Sequence, residues 1–212
     1  MPYQIARINP AETVVVVVDM QTDFVAAGAP MLARQAHDFV PQLGEFLARC
    51  RQAGIRIIYT AHVHRSDRSD VGLYGQLYPP IEHGAALVDG TPGADIHPSL
   101  APAAGEHVIK KHRYSAFFAT DLDLMLRQWG IKTVAITGTT TECCCHATAR
   151  DAMFHNYQVA FLSDLTGTFD YPDTGHGAMT AEQVHEATLV ILGASTAHVM
   201  TSDEFTSRIE RR

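Results

Sequence analysis

Residues Val14–Val18 read VVVVV, and Asp19 follows at once. Five consecutive β-branched residues favour an extended strand that is apolar on both faces. That is the mark of an inner strand in a parallel sheet with helices on each side. Parallel neighbours need long crossover connections, so the rest of the chain must alternate strand and helix, and it does. Leu43, Phe46, Leu47 and Cys50 form an i, i+3, i+4, i+7 stripe that ends at Gly54, as a helix before a left-handed C-terminal glycine would. Later strands are predicted at Ile55–Val63, His107–Lys110, Thr133–Thr137, Gln158–Ser163 and Thr196–Met200. Further helices are predicted after Thr120, over 144–155, and after Thr180, where Gln183 completes a capping box. The expected fold is one domain over residues 1–212, an α/β three-layer αβα sandwich. Its six parallel strands take the order 3-2-1-4-5-6, which lets Asp19 meet the loop after strand four.

Composition removes several classes of function. With 16 basic and 23 acidic residues the net charge is −7, opposite in sign to a nucleic-acid footprint. The longest apolar run is those five valines, against the roughly 20 residues of a membrane span. The N-terminus pairs no basic segment with a long apolar core, so a soluble cytoplasmic protein is expected. The four cysteines fall at 50, 143, 144 and 145, a spacing that suits neither a disulfide framework nor a zinc finger. Two stretches, 65–105 and 165–179, are long for plain connections in a compact α/β domain. The first carries Tyr74, Leu77, Tyr78 and Ile81, which suggests a subunit contact and hence a homo-oligomer, a dimer or tetramer.

Ligands of open α/β sheets bind beyond the carboxyl ends of the strands. Asp19 stands after strand one, His62 and His64 after strand two, Lys110 and Lys111 after strand three, and Gly138 followed by TTTECCCHATARDA after strand four. Each has a plain structural explanation: an Asp caps loops, strand-end lysines are solvated, and a Cys at a helix start fills core space. Together, a carboxylate, an amine and a thiol converging on one edge suit nucleophilic acyl chemistry.

The segments VVVVVDMQTDF, IKKHRYSAFFATDLDLML and ITGTTTECCCHATARDAMFHNY, with TPGADIHPSL between the first two, resemble the isochorismatase-like cysteine hydrolases over nearly the whole chain. The resemblance implies a catalytic triad of Asp19, Lys111 and Cys144, where Lys111 is the lysine just before HRYSAFF and Cys144 closes the G-x-x-T-x-x-C pattern begun by Gly138 and Thr141. It also implies a cis peptide between Thr139 and Thr140, and an oxyanion hole from the amides of Thr140 and Cys144. The activity expected is hydrolysis of a C–N bond in a small amide, ureide or carbamoyl compound through a thioester. The alternatives are an isochorismatase-type vinyl-ether hydrolase, which lacks the nucleophilic cysteine, and a non-catalytic binding domain. The helix start and Lys111 are expected to favour the Cys144 thiolate at neutral pH. Some relatives bind a divalent metal through an Asp-x-His pair and a later histidine. Here His62 stands where that Asp would fall and no histidine follows soon after His64, so no metal or other cofactor is expected. Phe24, His62, His64, Tyr114, Phe117, Phe118 and the 165–179 loop are the expected substrate-binding walls, with at most one of the two adjacent phenylalanines facing inward. His146 has no assigned role. Successive helical residues point ~100° apart, so Cys143 and Cys145 are expected to face the flanking strand or helix.

Overall fold

A computed structural model describes residues 4–210; residues 1–3 and 211–212 of the expected domain lie outside the described residues. The strands are β1 (Thr13–Val18), β2 (Arg56–His62), β3 (His107–Lys111), β4 (Thr133–Thr139), β5 (Gln158–Gly167) and β6 (His198–Met200). They form one all-parallel sheet of order β3-β2-β1-β4-β5-β6. The expected fold class and strand order are thus those observed.

The valine run explains itself in the packing. Val15 and Val17 enter one core with Leu43, Phe46, Leu47 and Cys50 of the helix Val40–Ala53. Val14, Val16 and Val18 enter the other, with Leu122 and Leu126 of the helix Leu122–Gln128, Ala149 and Ala152 of the helix His146–Phe154, and Leu192 of the helix Ala181–Ser195. Every β1 residue is buried, so a polar side chain on either face would meet hydrocarbon. Gly54 ends the helix Val40–Ala53 with φ 77°, where a Cβ would be strained.

Three segments depart from expectation. β5 runs four residues beyond Ser163, to Gly167, so the start of the presumed 165–179 loop is strand. The helix after β4 opens with one π-helical turn, Thr141–Cys145, before His146–Phe154. The 65–105 stretch folds inward: short helices Tyr74–Leu77 and Pro79–Glu82 bury Tyr74 and Ile81, leaving Leu77 exposed with Leu73. The aromatic content of that segment is therefore used within the subunit. Buried side chains from the DMQTDF motif hold it. Gln21 donates to the carbonyls of His62 and Ala94 and accepts from the His62 amide. Asp23 accepts from the Leu87 amide at 2.7 Å. Among the described residues, no helix is long and apolar enough to cross a membrane.

Candidate active site

The site is assembled where β1 and β4 lie side by side. Val18 pairs with Gly138, which has φ 111°, and a Cβ there would sit 2.0 Å from the Val18 carbonyl oxygen. Only glycine lets the two strand ends approach so closely, which is the physical content of the first position in the G-x-x-T-x-x-C pattern. Gly138→Ala should therefore destabilise the protein by about 3 kcal/mol or more and abolish activity; urea unfolding checks the first and ammonia release the second. Unchanged stability would show that the strand ends can separate without loss.

Asp19 follows with φ 49°, an uncommon conformation for a residue with a side chain. Its amide is held by the carbonyl and hydroxyl oxygens of Thr60, and the Thr60 hydroxyl donates to Oδ1 at 2.7 Å. The other carboxylate oxygen, Oδ2, lies 2.6 Å from Lys111 Nζ, both side chains being fully buried. Lys111 Nζ also donates to the carbonyl of Arg113 at 3.0 Å and to Cys144 Sγ at 3.3 Å. Three acceptors use all three ammonium protons. Lys110, one residue earlier, points outward to Asp89, as period-two alternation requires.

Electrostatics follow from burial. Burial alone would lower the Lys111 pKa, but Asp19 and then Cys144 outweigh it and raise it. For Cys144, burial raises the pKa, Lys111 opposes, and Asp19 adds to the rise, leaving the thiol well above its ordinary range. That upward direction runs against the thiolate expected from the helix start and the lysine. Lys111 is already answered by Asp19, so its charge is not at the disposal of the sulfur alone.

The Thr139–Thr140 peptide is cis. The Cys145 amide donates to the Thr140 carbonyl, so the Cys144 amide lies ahead of the first backbone bond of the turn, where helical amides lack intrahelical partners. The expected separation of the three thiols does not hold. Cys145 Sγ faces back toward the Thr137 carbonyl, but Cys143 lines the same cavity as Cys144 and lies 3.6 Å from the Tyr171 hydroxyl. The wider π-helical turn brings neighbouring side chains closer in direction than an α-helix does.

Thr140, Cys143, Cys144 and His62 contribute to the lining of that cavity. Its walls are Phe24, Tyr74, Tyr78, Tyr114 and Phe169, with Met31, Ile81 and Leu87. Of the expected wall residues, Phe24, His62 and Tyr114 are there, and the 165–179 loop contributes Phe169. His64 is not: its buried ring turns to Asp70, with Nδ1 3.5 Å from the carboxylate, and His112 stands nearby. Phe117 is buried on the other face of the sheet against His155 and Tyr157, and Phe118 is 60 % exposed. Neither reaches the cavity, because the chain after β3 turns away from the strand end immediately past Tyr114. Tyr74, Tyr78, Met31 and Leu87 come from segments without periodicity, and no pattern singled them out as walls. His146 receives the Arg150 guanidinium, away from the thiols. Among the described residues, two groups of side chains bring donor atoms within 4.8 Å of one another as a metal would need: Asp19, His62 and Cys144, and His64, Asp70 and His112. In the first, Asp19 is already committed to Lys111.

A parallel 3-2-1-4-5-6 sheet with an acid, an amine and a thiol meeting at three strand ends defines the class of isochorismatase-like hydrolases. An isochorismatase domain profile matches residues 13–204, and the chain belongs to the isochorismatase family. It is 28 % identical to nicotinamidase 3 of Arabidopsis thaliana over 206 residues, covering 95 % of this chain and 92 % of that one. It is 31 % identical to a ureidoacrylate amidohydrolase of Serratia proteamaculans, covering 74 % and 70 %. The crystal structure of a cysteine hydrolase from Pseudomonas syringae pv. phaseolicola superposes with a TM-score of 0.93 at 34 % identity, covering 98 % and 96 %.

Proposed function

We propose that the protein is a cysteine-dependent amidohydrolase that cleaves a C–N bond of a small amide, ureide or carbamoyl compound through a thioester. The observation that carries this is Lys111 Nζ, fully buried and bridging Asp19 Oδ2 at 2.6 Å and Cys144 Sγ at 3.3 Å. A buried ion pair is expensive to desolvate and is a poor route to stability alone, so its position against a thiol argues for chemistry. Relatives named nicotinamidase and ureidoacrylate amidohydrolase support an amide as the substrate.

In this scheme Cys144 rests as a thiol and gives its proton to Asp19 as the sulfur attacks the carbonyl carbon, while Lys111 stabilises the sulfur charge that develops. The carbonyl oxygen becomes an oxyanion held by the amides of Thr140 and Cys144. The tetrahedral intermediate collapses, Asp19 returns the proton to the leaving nitrogen, and ammonia or an amine departs. Water, deprotonated by Asp19, then attacks the thioester and releases the acid and the Cys144 thiol. No step calls on a metal or other cofactor. A vinyl-ether hydrolase would leave Cys144 idle, and a pure binding domain would leave the buried Lys111–Asp19 pair without purpose.

The test is ammonia release from a panel of small primary amides, ureides and carbamoyl compounds, run with and without a chelator. Turnover of at least one, with an acyl adduct on Cys144 in the intact mass, is expected in both conditions. Silence across the panel together with cleavage of a vinyl ether would favour the other chemistry. Activity lost to the chelator and restored by a divalent metal would bring the His64, Asp70 and His112 group into the mechanism.

A further inference from the structure

We infer that the cavity selects uncharged amides, whose acyl group is compact, largely apolar and free of any ionised group. The amide part rests on the hydrolase reading above; the charge selection stands on the cavity itself. Five aromatic and three aliphatic side chains make its walls, and among the described residues no cation is at liberty within it. Lys111 is bonded to Asp19, Cys144 and the Arg113 carbonyl. The Arg113 guanidinium lies behind Tyr74, 5.5 Å from that ring's centroid, and donates to the carbonyls of Asp70 and His112.

The remaining basic group in the lining is His62. Its ring is 2 % exposed, and its Nε2 has no hydrogen-bond partner. Burial first, then the Lys111 charge, holds its pKa well below the ordinary histidine range, so it meets a ligand as neutral imidazole. The wall hydroxyls of Tyr78 and Tyr114 bond one another at 3.0 Å. A carboxyl group stands close to Cys143: Glu142 accepts from the Tyr171 hydroxyl at 2.6 Å, and Cys143 Sγ lies 3.6 Å from the same hydroxyl. A substrate carboxylate would therefore be stripped of water with no cation to receive it and an acid close by. Burying an unpaired charge is among the costliest events in a protein interior.

A matched pair of thiol reagents tests this without any turnover. Iodoacetamide and iodoacetate deliver groups of nearly equal size to sulfur, one neutral and one anionic. Their rates of Cys144 alkylation on the full-length protein are each divided by the rate for free cysteine, with the modified residue located by fragment mass spectrometry. A corrected preference for iodoacetamide of about tenfold or more is expected, and a smaller or inverted preference overturns the proposal. A second arm compares kcat/KM for butyramide and succinamate, where about a hundredfold advantage for the neutral amide is expected and parity overturns it. If neither amide is turned over while the alkylation preference holds, the charge selection stands, and the hydrolase reading is decided separately by the substrate panel.

Discussion

Cys144→Ala is expected to lower kcat by about four orders of magnitude or more while the protein remains folded. The lost group is one small atom at the edge of a cavity, so its removal leaves the core intact, and thermal unfolding should show little change. The neighbouring thiols give the control that a lone cysteine could not. Cys145 is buried against the Thr137 carbonyl, and Cys145→Ala should cost about 1 kcal/mol of packing and leave the chemistry intact. Cys143 faces the cavity beside Tyr171, so Cys143→Ala should change KM more than kcat. Steady-state kinetics on the three variants separate these roles. A dead Cys143→Ala beside an active Cys144→Ala would move the nucleophile by one residue, and three active variants would remove the cysteine mechanism altogether.

Lys111→Met should abolish turnover and also destabilise the fold by about 3–5 kcal/mol, because it strands Asp19 without its cation in a buried site. Adding Asp19→Asn should return much of that stability and none of the activity, which distinguishes a catalytic pair from a structural one. Urea unfolding of the single and double variants measures the first outcome, and the amide assay measures the second. Recovery of activity in the double variant would sink the proposed roles of both residues. The pair also fixes a pH dependence. The folded Lys111 pKa is raised above its ordinary 10.5, so its stabilisation is fully present below that value. It is lost as pH rises through the higher folded value. The native protein should therefore lose stability on the alkaline side more steeply than the double variant.

The sheet could be read from the chain because its signals are strong and independent: β-branched strands, a capped helix stripe and a carboxylate directly after the first strand. That topology brings Asp19, the Lys110–Lys111 pair and the run of three cysteines to one edge, and the resemblance to the isochorismatase-like hydrolases picks out Lys111 and Cys144 among them. The walls were harder to read for physical reasons. Phe117 and Phe118 are two apolar residues beyond a strand end, and sequence gives no sign that the chain turns at Tyr114 and carries them elsewhere. Tyr74 and Tyr78 sit in a segment with neither period, and what aims them inward is the anchoring of that segment by Gln21 and Asp23. Those two residues could be mistaken for reactive polar groups of the DMQTDF motif. Cys143 faces the cavity, against the expectation from an α-helical step, because a π-helical turn occurs there.

The partner contacts of the Asp19–Lys111–Cys144 cluster join residues far apart in sequence: Thr60 is 41 positions from Asp19, and Cys144 is 33 from Lys111. None of the three can be set in place by its local segment alone. During refolding, then, catalytic power cannot return piecemeal with helix content; it must wait until β1, β2, β3 and β4 have docked in register. Regained turnover is thus a clock for the last stage of assembly, lagging behind any spectroscopic sign of secondary structure.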